Sequence, residues 1–198
     1  MLNGGVLQLH HPDGQVFRFD PGSLAFAFSV TGHPFDPDRF EVLKEPEDVG
    51  RWAVDVLGAR RIQTTAASVL DAKRLRWAIW NTAAAIIDGI AVAASDRSTL
   101  NAFAERPSLV PRIDPDGEQS WAPMARASAL FSSIARDMIE VATGPLASRI
   151  RRCEGVNCAI PFVDTSRPGT RRWCSMDRCG NRAKVAAHRR RQRQEAST

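Results

Sequence analysis

The sequence has no apolar run long enough to cross a membrane. Its most apolar segment, TAAAIIDGIAVAA at residues 82–94, is interrupted by Asp88 and Gly89, whereas a membrane-spanning helix needs about 20 predominantly apolar residues. The first residues, MLNGGVLQLHHPDG, lack the basic start followed by an apolar stretch that marks a secretory signal. We therefore expect a cytoplasmic protein without a membrane partner.

The first 145 residues also lack the usual signatures of a catalytic site. They contain no glycine-rich phosphate loop and no evident activated nucleophile, and their histidines, His10, His11 and His33, are scattered. We therefore predict that the chain is not an enzyme. Aromatic residues make up only 7% of the sequence and tyrosine is absent, which disfavours RNA recognition by base stacking.

Cysteine is scarce, and its spacing is informative. The four cysteines follow the pattern Cys153-x4-Cys158-x15-Cys174-x4-Cys179. Two close pairs separated by a loop are typical of a four-thiolate zinc site, because each pair can present two sulfurs from one tight turn. Disulfides are disfavoured in a reducing compartment, and an iron–sulfur cluster remains the main alternative. Four protein ligands leave no open position for a catalytic water, so one structural Zn²⁺ is predicted.

Charge is distributed unevenly along the chain. Residues 1–148 carry 14 Lys and Arg against 18 Asp and Glu, a net charge of −4, whereas residues 149–198 carry 13 against 4, a net charge of +9. An acidic body with a basic arm is typical of proteins that meet nucleic acid or an acidic membrane surface. Arginine outnumbers lysine twelve to one from residue 149 onward, which favours forked contacts with phosphates or guanine edges.

Hydrophobic periodicity predicts an α+β fold in which short β-hairpins and several helices form the body. The turns HPDG (residues 11–14) and DPDG (residues 114–117) each separate short alternating runs and predict hairpins. The segment LAFAFSV, residues 24–30, alternates large and small side chains, which predicts a strand. Helices are predicted in PEDVGRWAVDVLG, from Thr65 to Asp88, in SDRSTLNAFAERP with Ser95 as the N-cap, and in SALFSSIARDMIEVATG.

The composition changes at residues 145–150, which divides the chain into a body, residues 1–145, and a C-terminal finger, residues 149–193. The finger segment AIPFVDTSRPGTRRW reads as two strands joined by SRPGT, and the last cysteine pair leads into a helix with Ser175 as its N-cap. This order predicts a zinc-ribbon or treble-clef-like module. A module of this size cannot hold itself together by burial alone, so zinc would supply its stability.

A helix over residues 175–193 would carry cations along both flanks. It could lie in a groove and touch phosphates on either side, while Cys179 and the alanines face the finger's hairpin and the metal. The candidate DNA-binding residues are Arg171, Arg172, Arg178, Arg182, Lys184, His188, Arg189, Arg191 and Arg193.

The finger resembles a known family. CEGVNC followed by FVDTSRPGTRRWCSMDRCGNRAK is similar to the CGNR zinc finger, named for the residues that are Cys179, Gly180, Asn181 and Arg182 here. The preceding residues resemble the ABATE domain, a family described as stress-induced transcription regulators, through LAFAFSVTG, LNAF and LVPRIDPDG followed by Trp121. Thr31 fits the ABATE pattern, which has an Asp and an Asn at the positions of Ala27 and Val30. The resemblance implies DNA binding by the finger and transcriptional regulation by the whole chain.

Two hypotheses about function remain open at this point. In the first, the chain is a zinc-dependent DNA-binding regulator whose body senses a signal or dimerises. In the second, a ligand-binding or enzymatic body carries a finger that is purely structural or recruits a protein partner. DNA is the expected macromolecular partner, and a homodimer and a small-molecule effector are open options.

Overall fold

The computed structural model describes residues 5–59 and 61–195. The fold is α+β, as predicted, and its described part has seven α-helices and four two-stranded sheets. In chain order the elements are β1 (Leu7–His10), β2 (Val16–Phe19), α1 (Leu24–Ser29), α2 (Pro37–Phe40), α3 (Pro46–Leu57), β3 (Ile62–Gln63), α4 (Ala66–Ile87), α5 (Ala94–Ala104), β4 (Pro111–Ile113), β5 (Gln119–Trp121), β6 (Ala125–Arg126), α6 (Ala127–Thr143), β7 (Ile150–Arg152), β8 (Pro161–Val163) and α7 (Asn181–Glu195).

The four long body helices lie where the sequence predicts them. α3 begins with a capping box in which Glu45 and Asp48 exchange side-chain and backbone hydrogen bonds, and it ends at Gly58, whose φ of 62° is left-handed. A second capping box, between Thr65 and Ser68, starts α4. The predicted N-cap of α5 is wrong by two residues, because Ala93 occupies the cap position and Ser95 lies inside the helix.

The predicted strand over LAFAFSV is wrong, because its first six residues form the helix α1. The side chain of Ser23 caps the helix by accepting a hydrogen bond from the backbone N–H of Phe26. Every residue of α1 is buried, and the helix packs against α4 and α6. Its alternation of large and small side chains reflects burial on all sides, and a segment without an exposed face carries no periodicity that separates helix from strand.

Two antiparallel hairpins confirm the turn predictions. β1 pairs with β2 across HPDG, with Leu7 opposite Phe19, and β4 pairs with β5 across DPDG, with Pro111 opposite Trp121. A short parallel pair, β3 with β6, joins the entrance of α4 to the entrance of α6. Because these sheets are small, the helices supply most of the main core.

The predicted hairpin around SRPGT is also wrong. β8 pairs with β7, with Ile150 opposite Val163, so the first cysteine pair lies in the loop of this hairpin. The chain after β8 is held instead by Asp164, whose carboxylate accepts hydrogen bonds from the backbone N–H groups of Ser166 and Arg171. A buried carboxylate with such donors stabilises an irregular loop without a strand partner.

The base of the finger shares its packing with the body. Ile150 and Val163 belong to the main core, and β7 and β8 contact α4. A second apolar cluster joins Phe17 and Phe19 of β2 to Phe162 and the cysteines. The N-terminal hairpin thus packs against the cysteine cluster of the finger. None of the helices in the described residues combines the length and the apolar character needed to span a bilayer.

Candidate metal centre and basic helix

The fold brings the four cysteines together from two loops. Cys153 and Cys158 come from the β7–β8 loop, whereas Cys174 precedes a π-helical turn, Met176–Gly180, and Cys179 lies within it. All four Sγ atoms lie within 4.8 Å of one another. The Sγ atom of Cys174 lies 3.6 Å from those of Cys158 and Cys179. Tetrahedral zinc with Zn–S bonds of about 2.3 Å requires sulfur separations of about 3.8 Å, so the cluster fits one Zn²⁺.

The first cysteine loop requires an unusual backbone. Asn157 and Ala159 have φ values of 58° and 56°, in the left-handed region, and such a conformation costs an alanine about 1 kcal/mol. A Cβ atom on Gly155 would lie 2.8 Å from the Sγ atom of Cys179. Glycine is therefore required at this position, because any side chain would press into the sulfurs.

Electrostatics also indicate that the cluster needs a cation. The backbone N–H groups of Gly155 and Cys174 donate to the Sγ atom of Cys153 at 3.4 and 3.2 Å. Hydrogen bonds from neighbouring thiols lower the pKa of Cys153, and the hydrogen bond with Cys153 raises the pKa of Cys158 and of Cys174. Sulfurs this close cannot all be thiolates unless a positive charge lies between them, and a divalent ion supplies it. Occupied by zinc, the four-sulfur site is structural.

Comparison with protein families agrees with this geometry. The CGNR zinc finger profile matches residues 149–192, which contain all four cysteines. The ABATE profile, described as "Putative stress-induced transcription regulator", matches residues 22–145. The chain belongs to the ABATE family. The predicted order of an ABATE domain followed by a CGNR finger is confirmed, and no curated protein gives a significant match to the chain.

Two of the predicted DNA-binding arginines of this ABATE chain are turned toward the protein. Arg178 is 4% exposed and binds both carboxylate oxygens of Asp13, at 2.9 and 3.2 Å, as well as the Oε1 atom of Gln15 at 2.5 Å. Gln15 in turn donates to the backbone carbonyl of Asp177 at 3.2 Å. These contacts fasten the turn of the N-terminal hairpin to the second cysteine pair.

Arg171 holds the finger's own backbone. Its guanidinium donates to the carbonyls of Asp20, Trp173 and Cys174 and lies 4.2 Å from the ring centroid of Phe162. Arg149, which the sequence did not single out, acts in the same way on the carbonyls of Asp164 and Ser166, at 3.0 and 2.7 Å. Such guanidiniums donate hydrogen bonds inside the protein and satisfy backbone carbonyls that have no partner in a strand or helix.

The remaining candidates are exposed. Arg172 lies on the finger and pairs with Glu154, with 2.5 Å between its Nη2 atom and the carboxylate. The others lie on α7, none of whose residues is buried: Arg182, Lys184, His188, Arg189, Arg191 and Arg193. The sequence reasoning missed Arg190, which is equally exposed on this helix. The sequence signal that could have identified Arg190 is that the predicted helix is polar on nearly all sides, so that most of its cations are expected to be exposed.

The alanine face of α7 is less covered than predicted. Ala183 and Ala187 are half-buried and Ala186 is exposed, and the helix packs mainly against the π-helical turn that precedes it. α7 therefore projects from the metal centre rather than lying along the finger's hairpin, which leaves both of its flanks accessible.

Proposed function

We propose that this chain is a zinc-dependent DNA-binding transcription regulator whose finger contacts duplex DNA through α7. The observation that carries the proposal is that α7 has six arginines and lysines, one carboxylate and no buried residue. A helix with this composition gains little from packing in the free protein, and its charge is suited to a polyanion.

The dimensions of α7 support a groove-binding role. Its 15 residues correspond to a length of about 22 Å, and the major groove of B-DNA, about 12 Å wide, admits a helix. Cations on both flanks would contact phosphates on the two walls of the groove, while residues near the start of the helix would face the bases.

The metal centre gives α7 its direction. Cys179 lies in the π-helical turn that continues into the helix, and Arg178 in the same turn is fastened to the body. In this proposal zinc makes no contact with DNA. Zinc fixes the helix relative to the rest of the finger and to the body, so that the cations have one arrangement and lose less conformational entropy on binding.

The body, residues 1–145, takes the role of sensing a signal or of dimerisation in this proposal. The family description is that of a regulator rather than an enzyme, and the proposal assigns no catalytic step to the chain. DNA is the proposed partner, and the cytoplasm is the compartment where a reduced thiolate centre and DNA would meet.

The first test measures the affinity of the zinc-loaded chain for random-sequence duplex DNA as a function of salt. The double variant Arg189→Ala with Arg191→Ala removes two phosphate contacts, so the slope of log K against log salt becomes less steep by about 2. The matched control is Arg74→Ala with Arg112→Ala, which removes the same charge from exposed positions on α4 and β4.

The expected result is weaker binding by the α7 variant at low salt and unchanged binding by the control. Equal losses in the two variants would show that only net charge matters, and α7 would not be the contact surface. Binding by the parent chain that does not change between low and moderate salt would overturn the proposal itself, because counterion release drives contact with phosphates.

A further inference from the structure

A cavity of about 710 Å³ lies between the body and the finger. Its walls come from β1 and β2, the loop between α1 and α2, α3, and the loop that carries the first cysteine pair. This volume falls within the range of small-molecule sites, about 300–1,000 Å³. Ala27 and Val30, where the family pattern has polar residues, both line the cavity.

Rings and half-exposed apolar side chains form much of the lining. Leu7 and Leu9 of β1 are only half-buried although both line the cavity. The ring of Phe40 lies 5.3 Å from that of His11 and 5.3 Å from that of His33, and Trp52 supplies a further aromatic wall. Such a surface favours a ligand with a flat apolar portion.

Some of the charged groups on the cavity wall already have partners. Glu41 is held by Arg76, with 2.6 Å between the Nη2 and Oε2 atoms, and also by Lys73. Arg178 is held by Asp13. These pairs stabilise the walls and leave little charge for a ligand.

Apart from the cysteine ligands of the metal centre, the charged groups that remain on the wall are two cations and one acid. Within residues 5–59 and 61–195, neither Arg39 nor Arg182 makes an ion pair, and the same holds for Asp55. Arg39 and Arg182 are therefore the two cations of the wall that a ligand carboxylate could pair with.

The cavity also connects the body to the finger. The Nε2 atom of His33 donates a hydrogen bond to the backbone carbonyl of Cys158, one of the four cysteines of the metal centre, at 2.7 Å. Arg182 belongs to the first turn of α7 and lines the same cavity as Arg39 of α2. A molecule that contacts both arginines would therefore touch the helix proposed to bind DNA.

We propose that this cavity binds a small organic acid with an aromatic or similarly flat apolar portion, whose carboxylate is shared by Arg39 and Arg182. The regulatory consequence rests on the proposed DNA binding by α7. A carboxylate at Arg182 removes one cation from the DNA-facing helix, so the ligand lowers the affinity for DNA.

Binding is tested by calorimetric titration of the zinc-loaded full chain with 2-naphthoate and with the neutral 2-naphthamide, which has nearly the same shape. We expect naphthoate to bind about tenfold more tightly than the amide, a ratio that one charge-assisted contact supplies. Arg39→Ala, an exposed substitution, removes this preference, and the control Arg74→Ala leaves it intact. Val30→Trp fills part of the cavity and weakens both compounds.

Three outcomes would overturn the cavity proposal: no naphthoate binding at millimolar concentration, equal affinity for the two compounds, or an unchanged preference in Arg39→Ala. The affinity for duplex DNA is measured separately, with and without saturating naphthoate. We expect naphthoate to weaken duplex binding several-fold, and an unchanged affinity would overturn the regulatory consequence. If naphthoate binds as expected and the chain binds no DNA, the cavity stands and the proposed function fails.

Discussion

Arg178 at the base of the finger is 4% exposed and binds Asp13 and Gln15, whereas Arg189, further along the same segment, is exposed on α7. The two residues belong to one basic run and would share one flank of a continuous helix. Their difference shows that a run of arginines can divide between two functions. Arg178 is an internal donor, whereas the arginines of α7 form an accessible surface.

The division follows from what surrounds each group. The embedded arginines, Arg149, Arg171 and Arg178, lie among loops whose carbonyls and carboxylates lack strand or helix partners. Five fixed N–H donors allow one guanidinium to satisfy several such acceptors. Carbonyls inside a helix accept helical hydrogen bonds, so an arginine such as Arg189 meets fewer unpaired backbone acceptors than an arginine that lies among loops.

Loss of zinc is expected to remove both kinds of arginine site and has the largest effect. Cys174→Ser takes away one ligand of a site whose binding energy, about 10 kcal/mol, is also folding energy. We expect loss of stoichiometric zinc in elemental analysis, fast amide hydrogen exchange in residues 149–193, and loss of DNA binding. If the variant kept slow exchange in the finger, the packing against the body rather than the metal would hold the embedded arginines in place.

Asp137 contrasts with Arg178, whose charge is paired. Asp137 is a buried carboxylate that accepts a hydrogen bond from the N–H of Ala25 at 2.8 Å but has no cation partner in the described part of the chain. Burial raises the pKa of Asp137 from 3.8 to about 6. The folded state therefore binds the proton more tightly than the unfolded state, and the free energy of unfolding falls as the pH rises from about 4 to about 6.

Asp137→Asn removes this titration. We expect the variant to be more stable than the parent by about 3 kcal/mol at pH 7 and by nearly nothing at pH 4. Urea denaturation at several pH values measures the difference. A parent whose stability rises between pH 4 and pH 6 would show that the carboxylate is better stabilised than its surroundings indicate.

The smallest expected effect on stability separates the two kinds of arginine directly. Arg178→Ala should destabilise the chain by about 2 kcal/mol, because the second cysteine turn loses its charge-assisted hydrogen bonds to Gln15 and Asp13, while the half-exposed Asp13 is hydrated. Arg189→Ala should change stability by less than about 0.5 kcal/mol. Thermal unfolding of the zinc-loaded proteins measures both, and equal shifts would remove the distinction between embedded and α7 arginines.

Much of the fold and of the metal site could be predicted from local patterns. The spacing of the four cysteines identified one zinc site, the HPDG and DPDG turns placed two hairpins, and hydrophobic periodicity placed the long helices. These features depend on residues that are close in sequence. The strand predicted over residues 24–30 was wrong because burial on every side of α1 removed the periodicity that would have marked a helix. The predicted strand partner of β8 was wrong because β8 pairs with β7, across the loop that carries the first cysteine pair, and not with the chain after SRPGT.

The sequence alone determined that the chain carries a four-cysteine zinc finger with a basic C-terminal helix, because ligand spacing and charge are written into short segments. Only the tertiary structure decided which arginines remain exposed. Arg178 and its partner Asp13 are 165 residues apart, and no local pattern relates them. The contact exists because the N-terminal hairpin packs its phenylalanines onto the metal centre, which brings a carboxylate to a guanidinium that a helical pattern would have pointed toward DNA.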